Sequence, residues 1–210
     1  MKKQSEIKGI IFDLGGVLIK DSGVAFIKYA SGKLKIEPKK LGKVIRQEAD
    51  ALGRGEETTL EFWHRVCCKL GIKCPSDKIL QTLWVKPYKQ HAKIKKGMFG
   101  LIKGLGKRYK TAILSNTIKE HSQINRERGL FDFFDEVLLS DEVGLRKPEK
   151  KFFGEASKRL GIPLKNMIFI DDDIRWVKAA RKYGLDAILF KNKKQLVVAL
   201  KRRGVLRTQK

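Results

Sequence analysis

Four short, largely apolar runs, each ending on small polar or acidic residues, restrict what this chain can fold into more than any other feature. Residues 7–12 end at Asp13 and the pair Gly15-Gly16, and residues 111–114 end at Ser115-Asn116-Thr117. Residues 137–139 end at Ser140-Asp141, and residues 167–170 end at Asp171-Asp172-Asp173. Runs of this length without polar alternation read as strands buried on both faces. Helical periodicity separates and follows the later runs, over residues 98–107, 118–128, 148–160, 174–183 and 193–202, with a fifth strand at 187–190. Pro148 is expected in the first turn of its helix, and Gly184 ends another. Strands alternating with helices predict an α/β fold, a parallel sheet covered on both faces through right-handed crossovers. In such sheets ligands bind beyond the carboxyl ends of the strands. Three of the four strand ends carry carboxylates. Their mutual repulsion is costly without a cation among them, and an oxygen-rich site suits a hard ion such as Mg²⁺.

The stretch from about 21 to 92 has a different texture. Leu41, Val44, Ile45, Ala49 and Leu52 recur at helical spacing, as do Leu60, Trp63, Val66, Cys67 and Leu70. Thr58 or Thr59 can cap the second helix, with Glu61 in its first turn. A further helix is expected from Pro75-Ser76 to about Val85. The chain therefore divides into an α/β core, residues 1–19 and 93–210, and an inserted helical domain, residues 20–92.

Charge is the second unusual property. The 210 residues include 47 Lys and Arg against 23 Asp and Glu, a formal charge of +24. Such a surface attracts anions, including phosphorylated metabolites, nucleic acid and acidic membranes. The basic residues are spread along the chain, and the densest clusters (93–96, 191–194, 201–203) lack the interleaved aromatics of a single-strand-binding face. Cys67, Cys68 and Cys74 form no metal-binding pair and read as reduced thiols of a cytoplasmic protein. Lys2-Lys3 before an apolar run imitates a secretory leader, but Asp13 interrupts that run and no cleavage site follows. No stretch has the length of a transmembrane helix.

The strand-end residues resemble a known pattern. Ile11-Phe12-Asp13-Leu14-Gly15-Gly16-Val17-Leu18, Leu114-Ser115-Asn116-Thr117, Gly144-Leu145-Arg146-Lys147-Pro148-Glu149 and Phe169-Ile170-Asp171-Asp172 look like the four motifs of the haloacid dehalogenase superfamily, in family order. The resemblance implies a Rossmann-like core with a helical cap inserted after the first motif. Gly55-Glu56 with Glu61-Phe62-Trp63 is similar to cap sequence in the subgroup of the soluble epoxide hydrolase phosphatase domain and bacterial sugar-phosphate phosphatases. Such a protein is expected to be a Mg²⁺-dependent hydrolase, acting on a small phosphorylated metabolite through an aspartyl phosphate.

On that resemblance Asp13 is the nucleophile. Ser115, Asn116 and Gly16 hold the phosphoryl group at a helix N-terminus, and Lys147 neutralises its oxygens. Asp13, the backbone carbonyl of Gly15 and Asp172 would bind the metal. Asp171 would ligate through water or orient Lys147, and Asp173 reads as a helix cap. The pattern departs at Gly15, where phosphatases of the superfamily usually carry a general-acid Asp. A good leaving group, or another group such as Asp21, would have to compensate. Two alternatives follow: a catalytically weak basic protein binding nucleic acid, and a metal-independent dehalogenase. Trp63, His64, Trp84, Tyr88 and His91 are the cap candidates for facing the site, with hinges near residues 19–21 and 91–95.

Overall fold

The structure, a computed structural model, describes residues 6–206; Lys2-Lys3 of the leader-like start lie outside them. Its centre is a five-stranded parallel sheet of β1 (Gly9–Phe12), β2 (Lys110–Ser115), β3 (Glu136–Leu139), β4 (Met167–Asp171) and β5 (Asp186–Leu189), in the order β3-β2-β1-β4-β5. The fold is thus the Rossmann-like α/β arrangement. β1 is central and fully buried, and alternation splits its residues between two clusters. Ile10 and Phe12 pack with Met98 and Ile102 of α7 (Lys96–Gly106), Ile124 of α8 (Lys119–Glu127) and Leu196 and Leu200 of α12 (Lys193–Arg202). A short helix, α9 (Ser140–Val143), follows β3, and Ile11 packs on the other face with Phe152, Phe153 and Ala156 of α10 (Lys150–Leu160) and Val177 and Ala180 of α11 (Ile174–Lys182). The chain order reverses between β1 and β4, so the crevice beyond their carboxyl ends is the topological switch point.

Between β1 and α7 lie six helices, α1 (Gly23–Leu34), α2 (Pro38–Glu48), α3 (Asp50–Arg54), α4 (Thr59–Leu70), α5 (Asp77–Leu80) and α6 (Thr82–His91). They share a third cluster built around Phe26, Leu41, Phe62, Trp63, Leu80, Leu83 and Trp84. Each large side chain buried there contributes roughly 1.5–3 kcal/mol. Two chain crossings join this insert to the core. Lys20 N–H donates to Lys93 O at 2.8 Å and Lys95 N–H to Leu18 O at 2.8 Å, around an antiparallel bridge between Ile19 and Ile94.

Several boundaries differ from the sequence pattern for physical reasons. The 41–52 periodicity is two helices, broken at Ala49, whose carbonyl accepts from the Arg146 guanidinium at 3.2 Å. α5 and α6 are likewise separate, and α6 continues past Pro87 to His91. Burial of Leu83, Trp84, Pro87 and Tyr88 outweighs the hydrogen bond that proline cannot donate. Pro148 stands before its helix, since α10 starts at Lys150 with Glu149 as N-cap. Cys67 is buried and Cys68 exposed, and no helix among the described residues is long and apolar enough to cross a membrane.

α4 starts with a complete capping box. Thr58 N–H donates to Glu61 Oε2 at 2.7 Å, and Glu61 N–H donates to Thr58 Oγ1 at 3.3 Å. Thr58→Ala should cost about 1 kcal/mol, lowering Tm by roughly 2–4 °C in a thermal melt. A second lever is His121 of α8, stacked on Tyr88 of α6 with ring centroids 3.7 Å apart and planes at 11°. Burial pushes its imidazole down to about 3 from 6.5; a bond to the Trp84 carbonyl opposes this and Arg128 adds to it. A depressed His pKa gives stability that is present above about pH 6.5 and is lost as pH falls toward 3, about 2 kcal/mol of it by pH 5. Between pH 7 and pH 5, wild-type Tm should fall by about 4–8 °C more than that of His121→Gln. Equal falls would show that His121 titrates normally.

Candidate active site

Asp13 leaves the end of β1 with its N–H donating to Ile170 O at 2.8 Å, which fixes it beside the end of β4. Its carboxylate is 7% exposed and faces the Lys147 ammonium, itself 4% exposed. Lys147 Nζ donates to Asp13 Oδ1 at 2.7 Å and to the fully buried Asp171 Oδ2 at 2.6 Å. Asn116 holds the lysine backbone from both sides: Lys147 N–H donates to Asn116 Oδ1 at 2.8 Å, and Asn116 Nδ2 donates to Lys147 O at 3.0 Å. The Asn116 side chain is therefore a bracket for Lys147. The helix N-terminus expected at Ser115-Asn116 begins further on, at Lys119 with Ile118 as N-cap. Ser115 is the buried last residue of β2.

Asp171 has both oxygens engaged, because Oδ1 accepts from Asp173 N–H at 2.8 Å. Asp173 caps α11 by accepting from Arg175 N–H at 2.9 Å. Asp172 turns outward over Gly16. A Cβ on Gly16 would lie 1.8 Å from Asp172 Oδ2, and φ there is +71°, so only glycine fits under that carboxylate.

One oxygen each of Asp13, Asp171 and Asp172 falls within a mutual 4.8 Å. Three carboxylates and one ammonium leave two negative charges, the complement of a divalent cation. Burial raises the Asp13 carboxyl to about 6; Lys147 pulls it down and Asp171 pushes it up. Burial works against the Lys147 ammonium, but Asp13 and Asp171 outweigh it and hold its pKa above the ordinary value. Burial, then the charge of Asp171, raises Asp172.

Two cavities meet at this point. An open basin of about 420 Å³ is lined by Asp13, Gly15, Gly16, Asp21 and the three aspartates 171–173. A smaller cavity of about 200 Å³ runs from Leu14, Gly15 and Ser115 to Phe26, Trp84, Tyr88 and His121. Gly15 and Asp21 line both. A cavity of about 890 Å³ near Lys8, Tyr109 and Arg203 lies at the opposite end of the sheet, away from the switch point. Of the five cap candidates, Trp84 and Tyr88 reach the small cavity. Trp63 is fully enclosed in the helical insert, and His64 is exposed against Asp77 at 2.9 Å. His91 is exposed at the end of α6. Sequence reasoning missed Phe26 and His121; only the place of His121 in the first turn of the helix after the second motif hinted at it.

Residues 7–184 match the family of haloacid dehalogenase-like hydrolases. The chain is 36% identical over 86 residues to a glyceraldehyde 3-phosphate phosphatase of Methanothermobacter thermautotrophicus, across 40% of this chain and 38% of the relative. It is 24% identical over 184 residues to a sesquiterpene phosphatase of Aspergillus oryzae, across 85% of this chain and 87% of the relative. The matches to the first curated relatives span 12% and 38% of their lengths. A solved enzyme of the family from Bacteroides thetaiotaomicron superposes with a TM-score of 0.74 at 25% identity, covering 92% of this chain and 99% of that one. That enzyme has also been solved in complex with magnesium and inorganic phosphate. With the four motifs gathered at one sheet end and the family match running across most of its length, the chain belongs to the haloacid dehalogenase-like hydrolases.

Proposed function

We propose that this hydrolase is a Mg²⁺-dependent phosphatase of a small phosphorylated metabolite, with Asp13 as nucleophile. One observation carries the reading: the Lys147 ammonium bridges Asp13 and Asp171 at the switch point, leaving Asp172 and the second oxygen of Asp13 toward the open basin. Asp13, Asp172 and the Gly15 carbonyl would hold the ion. Asp171, with both oxygens occupied, orients Lys147 rather than ligating directly. When bound, the ion supplies charge neutralisation for the phosphate and the nucleophile. An oxygen of Asp13 attacks phosphorus, Lys147 stabilises the charge gathering on the phosphoryl oxygens, and Ser115 with the backbone at Gly16 and Asn116 holds the group in place. Residues 20–92 act as the cap, closing over the basin and excluding water. The related phosphatases and the magnesium and phosphate bound to the Bacteroides enzyme support this reading. A dehalogenase has less support, because the uncompensated charge of the aspartate cluster suits a cation.

Asp13→Asn should reduce Mg²⁺-dependent phosphate release to below about 10⁻³ of wild type, while circular dichroism shows a folded protein. Absence of release by the wild-type protein across sugar, nucleotide, acyl and aryl phosphates would end the proposal. Gly15→Asp supplies the missing proton donor. A Cβ there meets only Asp13 Oδ2, at 4.0 Å, so the backbone accepts the substitution, and alkyl leaving groups need not enter the aromatic cavity. It should raise kcat on alkyl phosphates by about 10-fold or more, measured against an acyl phosphate whose leaving group needs no proton.

A further inference from the structure

The leaving group's side of the site differs from the phosphoryl side in kind. Two stacked aromatic pairs build the small cavity. Phe26 lies on Trp84 with centroids 3.8 Å apart and planes at 5°, and Tyr88 lies on His121. Trp84 meets the His121 edge at 5.9 Å and 80°, which joins the two pairs into one wall. The charged residues lining the cavity, Lys20 and Asp21, are both exposed and sit at its rim. Polar groups nearby are already used: the Asn116 amide on Lys147, Thr117 N–H on Ser140 Oγ, and the Tyr88 hydroxyl on Asn125 Nδ2. The buried indole N–H of Trp84 has no partner, and the hydroxyl-bearing residues on the lining, Ser22, Ser115 and Thr117, stand away from the aromatic wall at the side of the strand ends and α1. Any hydroxyl of a sugar or nucleoside laid against the aromatic wall itself would go unpaired, at about 1–3 kcal/mol each. The volume of about 200 Å³ has room for a single ring, for which a cavity of about 150 Å³ suffices.

The chemistry of position 15 points the same way. Without a proton donor, the departing oxygen must be stable as an anion. A phenol ionises near pH ~10, about six units below water. Resting on the phosphatase reading, we infer that the substrate is the phosphate ester of a compact, single-ring aromatic alcohol. Its ring enters the Phe26–Trp84–Tyr88–His121 cavity across the bare Cα of Gly15, while its phosphoryl group meets Asp13. The Asp13 oxygen bonds to phosphorus as the bond from phosphorus to the phenolic oxygen breaks. The electron pair departs on that oxygen, which takes a proton from water. A second water then attacks the aspartyl phosphate, releasing inorganic phosphate and the Asp13 carboxylate; its proton neutralises the hydroxide left by the first step.

The test compares kcat/KM in Mg²⁺ for phenyl, para-carboxyphenyl and naphthyl phosphates, glucose 1-phosphate and acetyl phosphate. The charged and two-ring esters have leaving groups at least as good as phenol, so intrinsic reactivity alone would favour them. The cavity should reverse that order, with phenyl phosphate preferred over both by about 10-fold or more and over glucose 1-phosphate by about 100-fold. Ser22 lines the cavity and makes no side-chain cap bond, so Ser22→Phe should fill space. It should lower the ratio of phenyl to acetyl phosphate turnover by about 10-fold. Equal turnover of the three aryl esters, or preference for glucose 1-phosphate, overturns the inference and leaves the phosphatase reading standing. No Mg²⁺-dependent release from any ester, acetyl phosphate included, overturns both. If Ser22→Phe does not fold, the wild-type substrate order decides.

Discussion

The Lys147 ammonium between Asp13 and Asp171 is the contact on which the rest of the site depends. Two neighbouring strand ends, those of β1 and β4, cannot carry buried carboxylates side by side without a compensating charge, and this lysine supplies it from a third segment. Burial alone would favour the uncharged amine, and the two aspartates reverse that preference. The geometry is fixed from behind. Asn116 brackets the lysine backbone, Asp173 N–H occupies the second oxygen of Asp171, and Asp173 in turn caps α11. β2, the loop before α10, β4 and α11 are thereby tied to one ammonium group. Removing the lysine side chain would leave two buried carboxylates unpaired, a loss worth several kcal/mol in comparable buried pairs.

The parallel sheet was legible because its strands are buried on both faces and so carry no polar alternation; Ile10, Ile11 and Phe12 have nowhere to go but a doubly covered sheet. The clustering of Asp13, Asp171 and Asp172 was legible for a related reason, since parallel strands deliver their carboxyl ends to one edge. What stayed hidden depends on tertiary contacts between distant segments. Asn116 reads as a helix cap until Lys147, 31 residues away, is seen on its amide. The helix expected to end near Val85 runs on through Pro87 to His91 because of the apolar burial around Tyr88. His121 reads as one polar residue on an outward helix, yet it is the stacking partner of Tyr88 from the other side of the chain crossing. The +24 charge has no such local expression: charged side chains on a surface set attraction to anions, not fold.

Gly15 links the two halves of the chemistry. A side chain at this position would stand between the aspartate basin and the aromatic cavity, both of which its backbone lines. Its absence removes a proton donor and opens a passage at once. The same single-atom economy appears at Gly16, where the missing Cβ is what lets the Asp172 carboxylate reach over β1. Adjacent glycines therefore differ: Gly15 lines both cavities and, under the proposed reaction, would clear the leaving group's path, while Gly16 admits a carboxylate and is forced by a positive φ.

Two ion pairs fasten the helical insert to the segment that carries Lys147. Arg54 donates to Glu149 at 2.6 Å and to the Gly144 carbonyl at 3.0 Å, while Arg146 donates to Asp50 at 2.7 Å. They are crossed, each segment giving one cation and one anion, and they flank Lys147 on both sides. They are also partly exposed, so each contributes about 1 kcal/mol or less. Gly55, beside this contact, approaches Asp141 so closely that a Cβ would lie 2.2 Å from its carbonyl oxygen. These pairs are one part of the joint: Tyr88 of α6 stacks on His121 of α8, and Asn125 Nδ2 donates to the Tyr88 hydroxyl at 2.7 Å. The insert is held by these exposed pairs and by apolar contacts alike, while Lys147 keeps its own buried partners Asp13 and Asp171.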